Sequence, residues 1–200
     1  MALTDEQIDA ATIGGRARHD GPIELVDYDP GWPERYRDEE AIIRGALGDR
    51  VRALEHVGST SVPGLAAKPI LDLVLAVADS TDEAAYVPAL EAAGYVLRRR
   101  EPGEHEHRLF RKLGPRANLH VYPDGCPEIE RYLRFRDRLR AVPEERELYE
   151  RTKRELYERT KRELAQRTWP YAQHYADAKT EVVEAILARA LTKPSSPDQR

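Results

Sequence analysis

The segment from His56 to Val77 most constrains the fold, because two apolar runs enclose a loop of small residues. Strands are expected at residues 51–57 and 69–77, with the Gly-Ser-Thr-Ser sequence at residues 58–61 opening the loop between them. Glycine and small side chains let backbone N–H groups approach an anion without obstruction. The second strand then places one carboxylate, Asp72, beside the loop. The segment therefore predicts a site for a phosphorylated ligand.

The rest of the sequence predicts an α+β fold with a mixed, largely antiparallel sheet packed with helices. A helix is expected at about residues 32–47, because Pro33 suits its first turn. A capping box from Ser80 to Glu83 predicts a second helix that ends at Gly94. Further strands are expected at residues 95–100, 107–113 and 117–122, the last two joined by a Gly-Pro turn.

The domain organisation follows from a change in composition near residue 125. Residues 22–192 are expected to form one domain, with a sheet part at 22–125 and a helical part at 126–192, because each part alone would have a small core. We expect residues 1–21 to be a flexible segment and residues 193–200 a frayed tail. In the helical part, helices are expected at residues 128–140, from Pro143 onward, and at residues 170–191.

The helical part contains a tandem repeat, in which residues 147–154 recur unchanged as residues 155–162. Eight residues turn a helix by about 800°, so equivalent positions are offset by about 80°. A heptad coiled coil is therefore disfavoured. Two interpretations stay open: a local duplication that lengthened a helix by about 12 Å, or a homodimer contact made by the extra turns.

Charge and composition exclude several classes of protein. The net charge is -4 and the arginine run at 98–100 is short, so no nucleic-acid partner is expected. No apolar run is long enough to span a bilayer, so no membrane partner is expected. The single cysteine, Cys126, excludes an intrachain disulfide framework and fits the reducing cytoplasm, where we expect the protein.

Seven pieces of the sequence carry a family resemblance: residues 26–33, residues 56–69, Asp72, residues 107–111, His120 with Val121, residues 135–140 and residues 177–179. They resemble the GrpB family, whose members have a nucleotidyltransferase-like fold. A GrpB-type domain also occurs appended to the kinase that phosphorylates dephospho-coenzyme A, which suggests a link to coenzyme A metabolism. The resemblance covers about residues 22–192.

The resemblance implies how a phosphorylated ligand is held. In nucleotidyltransferases of this fold, a Gly-Ser turn holds the triphosphate, and three carboxylates on two strands hold two Mg²⁺ ions. This sequence keeps Gly58, Ser59 and Asp72, but it has Val74 at the second acid position and His120 on the later strand. One carboxylate is a poor holder of two ions, so a single Mg²⁺ bound through Asp72, or a metal-free site, stays open.

The resulting site hypothesis is a pocket for a nucleotide or another phosphorylated small molecule. Asp72 and His120 are the candidate catalytic residues, and Asp72 is also the candidate metal ligand. Arginine and lysine side chains match phosphate oxygens, and small-residue turns cradle them. The candidate phosphate-binding residues are Gly58, Ser59, Thr60, Ser61, Lys68, Arg108, Arg111 and Arg136.

Each of these residues also has a structural interpretation. The hydroxyls of the turn can cap backbone groups, and a buried Asp72 can pair with Lys68 or Arg111. Arg136 can form an ion pair with Asp137 on the same helix. Three imidazoles, from His105, His107 and His120, could alternatively meet a zinc ion, although no cysteine completes a common ligand set.

Two functions follow from the sequence. The first is a transferase of the nucleotidyltransferase superfamily, which moves a nucleotidyl or phosphoryl group or drives group transfer with ATP. The second is a non-catalytic ligand-binding or interaction module on a degenerate transferase fold, which the missing carboxylates favour.

Overall fold

A computed structural model shows a five-stranded sheet packed with helices. It describes residues 11–13, 25–114, 116–166 and 183–188, with the side chains of 157 and 159–166 left out. The strands are β1 (Ala53–Val57), β2 (Leu71–Val77), β3 (Val96–Glu101), β4 (His107–Leu113) and β5 (Arg116–Pro123). The helices are α1 (Trp32–Leu47), α2 (Val87–Ala92), α3 (Pro127–Ala141) and α4 (Pro143–Gln166), and residues 183–188 are also helical.

The strands run in the order β1-β2-β5-β4-β3 across the sheet. β2 pairs with β5 in parallel, and the other three pairings are antiparallel. The predicted α+β class, with a mixed and largely antiparallel sheet, is confirmed. The parallel pairing has a direct consequence for the site, because it sets Asp72 beside Asn118 and Val74 beside His120.

The two faces of the sheet differ, because successive side chains of a strand point to opposite sides. One face, here the core face, carries the main apolar cluster under α1 and α2. The other, here the polar face, carries Asp72, Asn118 and His120 and is covered in part by α3. Core-face residues with no more than 3% exposure include Leu71, Leu73, Leu75, Phe110, Leu119 and Val121, packed against Trp32, Ile43 and Leu90.

The capping box predicted at Ser80 is wrong. The Ser80 hydroxyl donates to the Glu106 carbonyl oxygen at 2.8 Å, and the Glu83 carboxylate accepts from Arg100 and Arg108 at 2.6–2.7 Å. Since both capping side chains are bound elsewhere, residues 83–85 form only a 3-10 turn, and the helix starts at Val87. The other predicted helices and strands inside the described ranges are confirmed to within two residues at each end.

Some predictions fall on parts of the chain that the structure does not describe. The expected helix at residues 170–191 lies mostly outside the described residues, as does the tail at 193–200. Of the segment at 1–21, residues 11–13 are described, and Thr12 forms an isolated bridge with Arg99 of β3. The tandem repeat lies within one continuous helix, α4. In the described ranges we find no helix with both the length and the apolar character that crossing a membrane requires.

Candidate functional site

The Gly-Ser turn between β1 and β2 is held by its own side chains. Residues 59–61 form a 3-10 turn, and the Ser61 hydroxyl donates to the Gly58 carbonyl oxygen at 2.6 Å. Thr60 Oγ1 lies 3.0 Å from Nε2 of His56, whose pKa falls to about 4 because the ring is buried near two arginines. The hydroxyls of Thr60 and Ser61 therefore stabilise the turn.

Gly58 brings the turn against the candidate catalytic carboxylate. Its φ of 69° lies in the left-handed region that favours glycine. A Cβ atom at this position would lie 2.5 Å from Oδ2 and 2.8 Å from Cβ of Asp72. The absence of a side chain at Gly58 thus lets the turn and Asp72 pack in direct contact.

Helices α3 and α4 hold the outer side of the turn with cationic side chains. Arg140 donates to the Ser61 carbonyl oxygen at 3.0 and 2.8 Å. The Lys153 ammonium, on a residue only 3% exposed, donates to Ser59 Oγ at 2.9 Å and to the Ala66 carbonyl oxygen at 2.5 Å. The turn is therefore fixed from outside as well as by its own hydroxyls.

Arg136, a predicted phosphate ligand, also belongs to this bracing. It donates to the Glu55 carboxylate at 2.8 Å and to the His56 carbonyl oxygen at 3.0 Å, and it pairs with Asp137 at 2.8 Å. These neighbours raise the pKa of the guanidinium against the opposing effect of burial. The ion pair with Asp137 that the sequence allowed is present, and the guanidinium also bonds to Glu55 and His56 of β1.

A row of polar side chains crosses the polar face of the sheet beside the turn. The strand registers align Val57 with Asp72, Asp72 with Asn118, and Asn118 with Arg111. The Asn118 amide donates to Asp72 Oδ1 at 2.8 Å, which fixes the orientation of the carboxylate. Asp72 and Arg111, both predicted site residues, therefore stand in one row.

Arg111 is held without an acidic partner. Among the described residues no hydrogen bond or ion pair reaches its guanidinium, and its Nε is sealed from solvent with no partner. Burial, together with Arg99 and Arg98, lowers the pKa of the guanidinium. A buried donor that lacks a partner calls for an explanation, and a bound anion is a common one.

The metal predictions depend on the carboxylates of this face. Val74, at the position of the second acid, is 1% exposed and packs with Val57 and Tyr122. The described residues contain no group of three histidine, cysteine, aspartate or glutamate side chains arranged for a metal ion. A single carboxylate already bonded to Asn118 does not fit two Mg²⁺ ions, which require several hard oxygen ligands.

A second row of the polar face carries linked histidines. His107 Nε2 lies 3.0 Å from His120 Nδ1, and His107 Nδ1 lies 2.7 Å from Glu101 Oε2. The rings of His107 and His120 are 13° from parallel. Burial, followed by nearby His107 and two arginines, lowers the pKa of His120 to about 3. The two imidazoles are bonded to each other, which is not the convergent arrangement that the zinc alternative requires.

A cavity of about 220 Å³ lies beside these rings. Tyr132 of α3 lies above the second row, with its ring centroid 5.6 Å from that of His120. The wall of the cavity thus combines aromatic rings with three carboxylates. Its lining residues are Arg99, Glu101, Glu104, His105, His107, Tyr122, Glu128 and Tyr132.

Two further predicted residues lie away from this row. Arg108 points to the core face, where it pairs with Glu83 at 2.7 Å and with Glu106 at 3.3 Å. It is therefore not beside Asp72. Lys68 is half-buried in the connection that leads from the turn into β2.

Two residues of the site had no clear signal in the sequence. Asn118 stands two positions before His120, but its place beside Asp72 depends on the parallel register of β2 and β5. Lys153 lies in an octapeptide that occurs twice, so local sequence could not indicate which copy contacts the turn.

Comparisons with known proteins agree on one family. The profile of the family described as "GrpB protein" matches residues 22–189. A UPF0157 protein of Halalkalibacterium halodurans is 49% identical over 187 residues, 94% of this chain and 92% of that protein. The crystal structure of the conserved protein GrpB from Enterococcus faecalis is similar with a TM-score of 0.70 and 28% identity, over 84% of this chain and 99% of that one.

A more distant similarity reaches a longer protein. A dephospho-CoA kinase of Mycolicibacterium paratuberculosis is 29% identical over 154 residues, which is 64% of this chain but only 38% of the kinase. The match of the family profile spans most of the 200 residues of this chain. On this basis the chain belongs to the GrpB family.

Proposed function

We propose that this protein binds a nucleotide or another phosphorylated metabolite on the polar face of its sheet and transfers a nucleotidyl or phosphoryl group from it. The observation that carries the proposal is the guanidinium of Arg111, which has no acidic partner among the described residues. Burial, and after it the cations Arg99 and Arg98, lower the pKa of this guanidinium. An anion bound there would relieve the repulsion and supply the missing acceptor.

Phosphate suits this position for geometric reasons. A guanidinium offers a planar fork of donors that matches two phosphate oxygens at once. Arg111 stands in the same row as Asn118 and Asp72, and Gly58 brings the turn against Asp72. A phosphate on Arg111 would thus leave the rest of the ligand in contact with this row and with the turn.

Asp72 is the candidate group for orienting the acceptor hydroxyl of the ligand. Its carboxylate is held by Asn118 at 2.8 Å, so its orientation is set before ligand binds. Pre-set orientation of a reacting group can contribute several kcal/mol to a transfer reaction. A single Mg²⁺ at Asp72 remains a prediction, and no step of the proposal depends on it.

A non-catalytic binding module is the second candidate function, and one observation favours it. Val74 fills the position of the second acid with a fully packed apolar side chain. Under this alternative the same ligand binds to Arg111, but Asp72 does no chemistry. The Asp72→Asn substitution separates the two, because loss of turnover with retained ligand binding requires a catalytic carboxylate.

The similarity to dephospho-CoA kinases suggests which ligands to test first. Coenzyme A and dephospho-coenzyme A both carry a pyrophosphate and a nucleoside, which this proposal requires. We also propose that the protein works in the reducing cytoplasm, where the buried cysteine, Cys126, stays a free thiol.

Thermal unfolding with a ligand panel tests the proposal. The panel contains pyrophosphate, ATP, coenzyme A and dephospho-coenzyme A, each with and without Mg²⁺. A ligand that binds only the native state at 100 times its dissociation constant stabilises it by about 2.7 kcal/mol. We expect at least one such shift, its loss in Arg111→Met, and its retention in Arg37→Met, which removes an exposed arginine from α1. No shift with any phosphorylated compound would contradict the proposal.

A further inference from the structure

We propose that Glu101 and His107 are positioning residues that set the tautomer of His120, so that its Nε2 faces the ligand as a proton acceptor. This inference rests on the proposed function for the identity of the ligand. The arrangement on which it depends belongs to the free protein. It consists of Glu101 Oε2, the two nitrogens of His107 and Nδ1 of His120, joined at 2.7 and 3.0 Å.

The tautomer of His120 follows from the hydrogen bond between Glu101 and His107. An ionised carboxylate only accepts hydrogen bonds, and contact with His107 lowers the pKa of Glu101 against the opposing effect of burial. His107 Nδ1 must therefore carry a hydrogen and donate it to Glu101. In a neutral His107 the other nitrogen, Nε2, is then an acceptor.

The same logic passes to the second ring. Since His107 Nε2 accepts, His120 Nδ1 must carry the hydrogen that joins the two rings at 3.0 Å. The remaining nitrogen, His120 Nε2, then holds a lone pair. No described residue bonds to this nitrogen. Among the described residues, two side-chain atoms are both sealed from solvent and without a partner, Trp32 Nε1 and Arg111 Nε, and His120 Nε2 is not one of them. His120 is half-buried, and its Nε2 is therefore an acceptor on the polar face that is not sealed from solvent and that no described residue occupies.

The place of His120 connects this acceptor to the proposed ligand site. Along β5, His120 follows Asn118 on the same face, and Asn118 bonds to Asp72. Arg111 is close enough to lower the pKa of His120. The charged or titratable groups around the ring are Arg99 and Glu101 from β3, His107 and Arg111 from β4, Asp72 from β2, and Glu128 and Tyr132 from α3.

Glu101, His107 and His120, joined by these two hydrogen bonds, form what we call the histidine relay. The relay gives His120 a defined role in group transfer to an alcohol. The acceptor hydroxyl loses its proton to Nε2 of His120, and its oxygen uses the freed electron pair to form a bond to phosphorus. The bond from phosphorus to the leaving oxygen breaks, and that oxygen keeps the pair as an anion beside Arg111. The Nδ1 hydrogen of His120 passes to His107 Nε2, so the positive charge rests next to Glu101.

Nitrogen-15 NMR of the imidazole rings in the ligand-free protein tests the tautomers directly. Spectra are recorded at increasing pH until the nitrogen shifts of both rings stop changing, so that the tautomers are read on neutral imidazoles. We expect the hydrogen of both His107 and His120 on Nδ1. A His120 that carries its hydrogen on Nε2 in the wild-type protein would overturn the proposal, even if no variant folds.

Two variants separate positioning from a purely structural effect. Glu101→Gln introduces an amide that can donate to His107 Nδ1, so we expect a measurable population with the hydrogen of both rings moved to Nε2. Glu104 is an exposed residue of the same cavity whose side chain forms no hydrogen bond with either ring among the described residues, so Glu104→Gln should keep the wild-type spectrum. Equal spectra for the two variants would count against the relay.

The outcome is independent of the ligand-binding test. If the tautomers are as expected but no phosphorylated compound binds, the relay stands and the proposed function fails. If a ligand binds through Arg111 but His120 has the other tautomer, the proposed function stands and the relay fails.

Discussion

Two neighbouring cations of β4, Lys112 and Arg111, differ in whether an acidic side chain pairs with them. Lys112 points to the core face, where its ammonium lies 2.9 Å from both carboxylate oxygens of Glu39, a residue only 1% exposed. Tyr95 donates a further hydrogen bond to the same carboxylate at 2.6 Å. Arg111, one position earlier, points to the polar face and has no such acid among the described residues.

This contrast predicts opposite effects on stability. Lys112→Met leaves a buried carboxylate without its cation, which should lower the free energy of unfolding by about 3–5 kcal/mol. Arg111→Met removes a desolvated cation that has no partner, so the free energy of unfolding should change by less than about 1 kcal/mol or rise. Urea unfolding of both variants measures the two values. A loss of several kcal/mol in Arg111→Met would show a structural partner for the guanidinium.

Gly58 combines a left-handed backbone conformation with direct contact to Asp72. Gly58→Ala adds left-handed strain of about 1–2 kcal/mol and a methyl group within 2.5–3.0 Å of Asp72. Gly64→Ala is a matched control, because Gly64 also has a positive φ, 77°, but has open space where a Cβ would stand. We expect Gly58→Ala to be less stable than Gly64→Ala and to lose ligand affinity. Equal losses in urea unfolding would mean that the contact with Asp72 has no energetic weight.

At the scale of elements, the Gly-Ser turn depends on helices that are distant in sequence. Lys153 reaches the turn from the third turn of α4, across 94 positions of sequence to Ser59. Hydrogen bonds from a charged donor contribute about 1.5–3 kcal/mol each. Its repeat equivalent, Lys161, follows eight residues later, so helix geometry offsets its backbone position by about 12 Å along the axis and about 80° around it.

The repeat therefore supplies its own control for the role of α4. Lys153→Met should lower the free energy of unfolding by about 2–4 kcal/mol and speed amide exchange at residues 59–66, because the turn loses donors to Ser59 and Ala66. Lys161→Met changes the same residue in an identical octapeptide and should leave exchange at the turn unchanged. Hydrogen exchange read by mass spectrometry compares them. Equal protection in both variants would contradict the bracing by Lys153.

Local sequence patterns predicted the helices and strands well where contacts between residues close in sequence determine the structure. The 32–47 helix begins at Trp32 with a proline in its first turn, and the strands on either side of the Gly-Ser turn lie within two residues of their predicted bounds. The capping box at Ser80 failed, because Glu83 is bound by arginines from β3 and β4 instead. Such long-range competition cannot be read from a local motif.

The same limit applies to the site. Asp72 and Arg111 could be selected by residue type, but the register that puts both in one row with Asn118 is a property of the sheet. Arg108 and Arg111 were equal candidates in sequence, and strand alternation sends them to opposite faces. Arg136 could not be assigned from sequence, because its carboxylate partner Glu55 lies 81 positions away.

At the scale of the whole molecule, the main apolar core lies on one face of the sheet and the candidate site lies on the other. The core face packs against α1 and α2 and holds the main apolar cluster. The polar face, only partly covered by α3, gathers Arg111, Asp72 and the histidine relay. Since Arg111 has no acidic partner among the described residues, substitutions of it should alter ligand binding with little effect on folding, whereas substitutions in the apolar cluster of Val57, Val74 and Tyr122 on the same face should destabilise the fold.

The most direct test of the binding proposal is a crystal structure of the protein with the phosphorylated compound that gives the largest thermal shift. The proposal predicts a phosphate group whose oxygens lie about 2.7–3.0 Å from the Arg111 guanidinium, on the same face as Asp72 and His120. A phosphate bound elsewhere, with Arg111 contacting only protein or water, would contradict it.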